Sequence, residues 1–424
     1  MRKKILLILP LLLFAITQQL QAVTCNWGYC NSVVNDQFGS VNKGKGAIYI
    51  PAEISKMYEG KQLSYVRVGL AAKAKTVKVF VTKDLNGEYI TTRTQRDQLS
   101  GFNEIKFAEP WTIDGEGFYI GYEFESDDYA LGSSTMYNEN GCWADLGDGW
   151  KNYAVEDHAL ALSIQAKISG DDLPKDYWLF CSNDILAEAG KPFNINFSIR
   201  NMGTAIGRRF QVAYSIDGGE EVTEEIKQTL GQDMEKDFSI AHPGYASLGK
   251  HSVQIRLVSV NGEADAYEGN NVANSTIRVM NTLPVQRVVF EEGTGTWCPY
   301  CIRGIEGFNY MTEKYPDTFI GIAVHKDDQF ATSSYDKLTF SSYPSSYAMR
   351  DCSQSINPSS ANLEGVYKVI AAQQPVASVG VVAGYTDASK TTFTVRTNLT
   401  FFTAKTGLNY RLSYVLIARG MIAY

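Results

Sequence analysis

Histidine is scarce in this chain: His158, His242, His251 and His325 are the four among 424 residues. No H-E-x-x-H and no G-x-S-x-G stretch occurs, so zinc-peptidase and serine-hydrolase chemistry lack their usual sequence supports. Runs of basic residues are also missing. Lys+Arg 39 against Asp+Glu 46 give a net charge of −7, which repels a phosphate backbone, and no nucleic-acid partner is expected. Gly 36 and Pro 12 are too few for a collagen-like or low-complexity chain. No apolar run reaches the roughly 20 residues of a spanning helix. The N-terminal one, Ile5 to Ile16, is shorter and interrupted by Pro10.

That run has a different use. Met1-Arg2-Lys3-Lys4 precedes it and a polar stretch follows to Ala22, so residues 1–22 have the charged, apolar and small-residue regions of a secretory signal peptide. Cleavage is expected near Ala22, although Leu20, three residues before that cut, leaves an uncleaved anchor open. The expected location is the periplasm, or the outer membrane and cell surface. Export decides how the seven cysteines are weighed, because an oxidising compartment lets disulfides persist. Cys25 and Cys30 are close enough in sequence for a local bridge. Cys298 and Cys301 form a C-x-x-C, and the pairing of Cys142, Cys181 and Cys352 does not follow from sequence.

From residue 23 to 169, apolar side chains recur at every second position, as in Val77, Val79 and Val81 or Phe118, Ile120, Tyr122 and Phe124. With Asn86-Gly87 and similar turn pairs between them, the pattern predicts a jelly-roll-like β-sandwich. Trp143 and Trp150 flank Asp145 to Gly149, either a turn over core aromatics or a loop binding sugar or Ca²⁺. Gly170 to Pro174 has linker composition. Residues 175–281 alternate again in Phe193 to Ile199, Phe210 to Ile216 and Val253 to Leu257, which predicts an Ig-like sandwich.

The pattern changes in residues 284–424. Apolar strands are expected over Val285 to Phe290 and Thr318 to Val324. Ile302, Ile305 and Phe308, with Met311 close by, mark one helix face, and Leu363, Val366, Tyr367 and Ile370 another. Such alternation belongs to an α/β domain. Val376 to Ala383, Thr391 to Phe402 and Tyr410 to Ala418 return to strand spacing.

Cys298-Pro299-Tyr300-Cys301 stands between the first strand and the first helix of that segment. A helix N-terminus offers unpaired N–H groups and a positive dipole end, both favouring a Cys298 thiolate. Cys301 could then attack a mixed disulfide and release the product. Pro299 suits a first helical turn. A zinc site would need two further ligands at matching spacing, which His325 and Cys352 do not supply, so no metal is expected. A fixed, inert bridge is the competing use of the pair.

Glu291-Glu292-Gly293-Thr294-Gly295-Thr296-Trp297-Cys298-Pro299-Tyr300-Cys301 resembles the strand end and active-site loop of the thioredoxin superfamily. The Pro-Tyr pair is similar to that of glutaredoxins. The Glu-Glu-x-Thr-Gly-x-Trp-Cys context resembles the outer membrane protein 28-related family of exported thioredoxin-like proteins, over roughly Val285 to the end. Asn201 to Ala205 and Glu268 to Asn271 resemble Ig-like modules of the CARDB kind, which serve as spacers or interaction units. The first resemblance implies Cys298 as nucleophile and Cys301 as resolving thiol. It puts a buried acid at Glu292, here Glu in place of Asp, to relay a proton to or from Cys301. It also implies a cis-proline at Pro344, after Tyr343 and ahead of a strand over Ser346 to Arg350. Trp297, Pro299, Tyr300 and Tyr343 would border the substrate, and Val376 to Phe402 would be an inserted β-hairpin.

The combined expectation is a multidomain exported protein. Two β-sandwich domains, jelly-roll-like over 23–169 and Ig-like over 175–281, precede an α/β thioredoxin-like domain with an inserted β-hairpin over 284–424. It would exchange disulfides with protein thiols, without a cofactor, while the sandwiches hold a cell-surface or envelope partner. The alternative is a surface binding or adhesion protein whose thioredoxin-like module is non-catalytic. Cys352 is expected in the core.

Overall fold

The computed structural model describes residues 23–154, 160–181, 184–333, 338–402, 412–418 and 420. The expected signal peptide, residues 1–22, and His158 lie outside the described residues. The fold is mostly β-sheet, in several separate sheets.

Alternation builds the first unit. On the strands Ala74–Thr82 and Phe118–Ser126, Val77, Val79, Ile120 and Tyr122 turn into the core, while Lys78 and Glu123 on the opposite face approach to 3.7 Å. These strands lie in a six-stranded antiparallel sheet. A four-stranded sheet, ordered Thr24–Trp27, Ile164–Ser169, Gln62–Leu70, Gly101–Thr112, sends Leu63, Val66, Ile164 and Ile168 into the same core. Cys25 and Cys30 form no bridge: both are buried, unpaired thiols, and burial pushes them up to about 12 and about 11. Their strand context explains this, since pairing of Thr24–Trp27 with Ile164–Ser169 commits Cys25 to the core and Cys30 Sγ lies 3.6 Å from the Ile164 carbonyl.

The second unit packs a three-stranded sheet, centred on Phe193–Asn201, against a five-stranded one, and the expected alternating residues Ile195, Phe197, Phe210, Val212, Val253 and Ile255 fill its core. It is joined closely to the first. Leu173 and Met202 are buried in the first core, so the stretch expected as a linker is packed rather than free. Arg200, fully buried, donates through Nη1 to the Cys30 carbonyl. Asn26 Nδ2 donates to Asp233 at 2.8 Å, and Tyr267 to Glu53 at 2.8 Å.

After residue 284, Val288–Thr294 is the central strand of a three-stranded sheet, parallel to Phe319–His325 and antiparallel to Ser345–Ala348. It starts later than expected, with Val285 66% exposed. The helices Ile302–Lys314 and Ser360–Ala371 share a core with it through Met311, Leu363, Tyr367, Val288 and Phe290. The first helix is turned partway from its expected face. Phe308 and Met311 pack inward as expected, together with Gly304 and Gly307, but Ile302 and Ile305 are exposed. Close approach is the reason: a Cβ on Gly307 would lie 2.2 Å from the Pro358 carbonyl. Ala377–Tyr385 and Phe393–Phe401 form a hairpin that pairs with no other strand among the described residues. The strand expected over Tyr410 to Ala418 is not found in its described part, residues 412–418. Cys352 is exposed rather than in the core, because Met349 and Arg350 at φ 52 and 61 turn the chain outward after its strand.

Arg200→Ala is expected to cost about 1–3 kcal/mol, the usual loss when a buried carbonyl, here that of Cys30, is left without its donor. Lys75→Ala, which breaks an exposed pair with Asp127, should cost less than about 1 kcal/mol. Urea unfolding of the two variants checks this; equal, small losses would show that Arg200 does not hold the junction.

Candidate functional site

The central strand ends at Thr294, and the chain turns before the helix, with the Cys298 N–H donating to Gly295 O at 3.0 Å. Gly295 permits this turn, since a Cβ there would lie 2.5 Å from Trp297 Nε1. The N–H groups of Gly304 and Ile305 both reach Cys301 O, at 3.0 and 3.2 Å, so the helical ladder begins at Cys301 and the helix itself at Ile302. Cys298 and Pro299 therefore stand in the turn ahead of the helix, not in its first turn as expected. Cys298 and Cys301 are joined as a disulfide with Cα atoms 5.5 Å apart. Cys298 is half-buried and Cys301 only 2% exposed, so an incoming thiol reaches Cys298 first.

Glu292 lies beneath the start of this helix. It is 2% exposed, its Oε1 has no hydrogen-bond partner, and burial pushes its carboxyl up to about 7. Gly304 makes room for it: a Cβ there would lie 1.6 Å from Glu292 Oε1. Sequence reasoning missed Gly304, whose only signal was a glycine one turn beyond the C-x-x-C. Glu291 is also buried but turned the other way by strand alternation, and its carboxylate meets Arg350 Nε at 3.0 Å. One of two adjacent glutamates is thus compensated, and the other is not.

The Tyr343–Pro344 peptide bond is cis. The strand after it runs over Ser345–Ala348, slightly earlier than expected, and pairs Ser346 with Glu292 and Ser345 with Gly293. Tyr300, Tyr343 and Pro344 border one cleft of about 360 Å³, together with Arg303, Ser345 and Asn357. Trp297 stands beside it, its ring 5.3 Å from Tyr343 and its Nε1 donating to Lys326 O at 2.6 Å. Pro299 is exposed on the rim. Arg303 and Asn357 were not expected; Arg303 becomes legible only once the helix is known to turn its isoleucines outward.

Elsewhere, Asp145 Oδ1 accepts the Gly147 and Gly149 N–H groups at 3.0 Å each, while Trp143 and Trp150 pack against a small cluster of Ala47, Phe80 and Leu85. The loop between them is a turn over core aromatics. Among the described residues, no helix is long and apolar enough to cross a membrane.

The chain matches no family model and no curated protein. Similar solved structures include the CARDB domain of a Pyrococcus furiosus protein, 18% identical, covering 25% of this chain and 90% of that one at a TM-score of 0.21. A clostridial cysteine protease is 10% identical over 35% of this chain and 40% of its own, with a TM-score of 0.29. A Bacteroides uniformis β-glucuronidase is 11% identical over 70% and 38%, with a TM-score of 0.22. None of these matches bears on the dithiol.

Gly304→Ala forces a methyl group onto the Glu292 carboxyl and is expected to destabilise the protein by about 1–3 kcal/mol. Adding Glu292→Ala should recover most of that loss, as a positive coupling in a double-mutant cycle followed by urea unfolding. Strictly additive losses would separate the two residues.

Proposed function

We propose that this protein is an exported thiol–disulfide oxidoreductase whose residues 284–424 form a thioredoxin-like domain, of the outer membrane protein 28-related kind, with an inserted β-hairpin. It acts on protein thiols and disulfides in the periplasm or at the outer membrane. The observation that carries this reading is the asymmetry of the pair, with Cys298 reachable and Cys301 buried at the helix start above Glu292.

In the reducing direction, the Cys298 thiolate attacks one sulfur of a substrate disulfide. The substrate S–S bond breaks, one substrate thiolate leaves, and a mixed disulfide remains. Glu292 takes the Cys301 proton, and the Cys301 thiolate attacks Cys298 Sγ. The second substrate sulfur leaves as thiolate and the Cys298–Cys301 bond forms, so the substrate gains two electrons and the dithiol loses them. The reverse sequence oxidises a substrate dithiol. A carboxyl near 7 suits proton transfer at neutral pH. A substrate segment lies in the cleft against Tyr300, Tyr343 and Pro344, with Trp297 and Pro299 at its edge. The CARDB-like second sandwich and the first sandwich carry the domain or hold an envelope partner, and no cofactor enters the scheme.

Thiol alkylation across glutathione buffers should show a reversible two-electron transition at about −270 to −120 mV, absent in Cys298→Ser. A bridge that stays oxidised far below that range would make the pair structural and the protein a binding module.

Glu292 adds a pH signature. Its carboxyl is raised in the folded state from 4.5 to about 7, so ionisation burdens the folded protein, and stability falls as pH rises between those values. Glu292→Gln removes that burden. It should stabilise the oxidised protein by roughly 2–3 kcal/mol at pH 8 and by almost nothing at pH 4. Equal effects at both pH values would argue against a buried, titrating carboxyl.

A further inference from the structure

The cleft beside the dithiol carries a positive charge that no described residue neutralises. A helix N-terminus favours acidic residues, yet the first turn of Ile302–Lys314 has none and holds Arg303 instead. The rotation that lays Gly304 over Glu292 brings Arg303 to the cleft. Among the described residues its guanidinium makes no ion pair, with Glu306 one turn further along or with any other carboxylate, and no acidic residue borders the cleft. The acidic groups of the adjoining strand and loop have other partners: Glu291 meets Arg350, Asp327 meets Lys326 at 3.8 Å, and Asp328 meets His325 at 2.7 Å. A second group in the cleft is also unanswered. Ser345, next to the cis-proline, borders it with a side chain 1% exposed whose Oγ has no hydrogen-bond partner. A buried hydroxyl in that state is unfavourable until something bonds to it. Ser355 accepts from Ser341 at 3.1 Å and keeps its own hydrogen to donate into the same cleft.

We propose that this cleft selects protein segments carrying an Asp or Glu close to the reacting cysteine, with Arg303 and Ser345 as specificity-determining residues; the proposal rests on the oxidoreductase reading of the dithiol. The planar guanidinium offers a carboxylate two parallel N–H donors. Ser345 Oγ and the Asn357 amide supply donors for its remaining lone pairs, and the positive end of the helix adds to the attraction. A lysine on the substrate would meet Arg303 and the same helix end, and so be rejected. Tyr300, which stands between the two cysteines, borders the cleft together with Arg303. The acidic residue therefore falls within about one to three positions of the substrate cysteine, at about 3.3–3.6 Å of extended chain per residue.

The test uses the full chain and two sets of short peptides, acetylated and amidated, with Asp, Asn or Lys beside a central residue. In the first set that residue is serine, and binding to the oxidised protein is read by fluorescence anisotropy of a dye on the peptide. In the second it is a cysteine held in a symmetric peptide disulfide, and the rate constant of exchange with the reduced protein is measured. The Asp peptide should bind about fivefold or more tighter than the Asn peptide, with Lys weakest, and the gap should narrow between about 50 and about 300 mM salt. Arg303→Gln should erase the gap, Arg303→Lys should restore part of it, and Arg303→Glu should reverse the order. Ser345→Ala should weaken the Asp peptide more than the Asn peptide. Arg93→Gln, which removes an exposed charge from the first sandwich, should leave the order unchanged. Exchange rates should follow the binding order. Equal affinities for the three peptides, no saturable binding of any of them, or an unchanged order in Arg303→Glu would overturn the proposal, as would exchange at equal rates with all three, which leaves the redox reading intact. Preferential binding of the Asp peptide with no exchange by any disulfide peptide would overturn the redox reading and support the acidic preference.

Discussion

The close approach of the Ile302–Lys314 helix to the Val288–Thr294 strand is the constraint on which the dithiol site depends. A helix can settle that near a sheet only where it has no side chain; Gly304 supplies the gap over Glu292, while Gly307 admits the Pro358 carbonyl ahead of the second helix. The gap is filled by a carboxyl group, not by hydrocarbon. Glu292 thus sits in a dry space under the first helical turn, and the same geometry carries Cys301 inward while leaving Cys298 at the surface. Burying an uncompensated carboxyl is unfavourable, and it persists here because Phe290, Met311 and Leu363 hold the helix and strand together on either side.

A different economy governs the two sandwiches. Their cores are formed by ordinary alternation, yet the joint between them is rich in polar groups: Arg200 on the Cys30 carbonyl, Asn26 on Asp233, and Asp176 facing Trp27 and Tyr58. Polar groups removed from water demand specific partners. Such a joint fixes relative orientation more sharply than an apolar contact of the same area would. The third segment is tied to the second by Gln374, which donates to Asp184 O at 2.6 Å.

Much of this was legible in the sequence where one periodicity dominated. Val77 to Val81, Phe118 to Phe124 and Phe193 to Ile199 alternate because one face is wet and the other dry, and the structure buries the expected set. Leu363, Val366, Tyr367 and Ile370 likewise belong to one helix face. Where glycine sets the contact, hydrophobicity misleads: Ile302 and Ile305 resemble a core stripe, yet the first turns of the packed face are held by Gly304 and Gly307, with Phe308 and Met311 following. Cysteine proximity along the chain was a poor guide for a related reason, since Cys25 is committed by a long-range strand pairing to Ile168. The burial of Glu292 was expected from the motif that ends in Cys298, whereas the cleft lined by Arg303 and Asn357 depends on tertiary approach and had no local signature.

The packed stretch between the sandwiches bears on how this chain can be dissected. Gly170 to Pro174 has the composition at which one would ordinarily cut a protein into halves. A scission there would pull Leu173 out of the first core, bare Met202, and strand the Arg200 guanidinium away from the carbonyl it serves. The two halves would be sticky fragments, not modules. A natural seam lies further on, at Leu283 to Val285, where the side chains already face water.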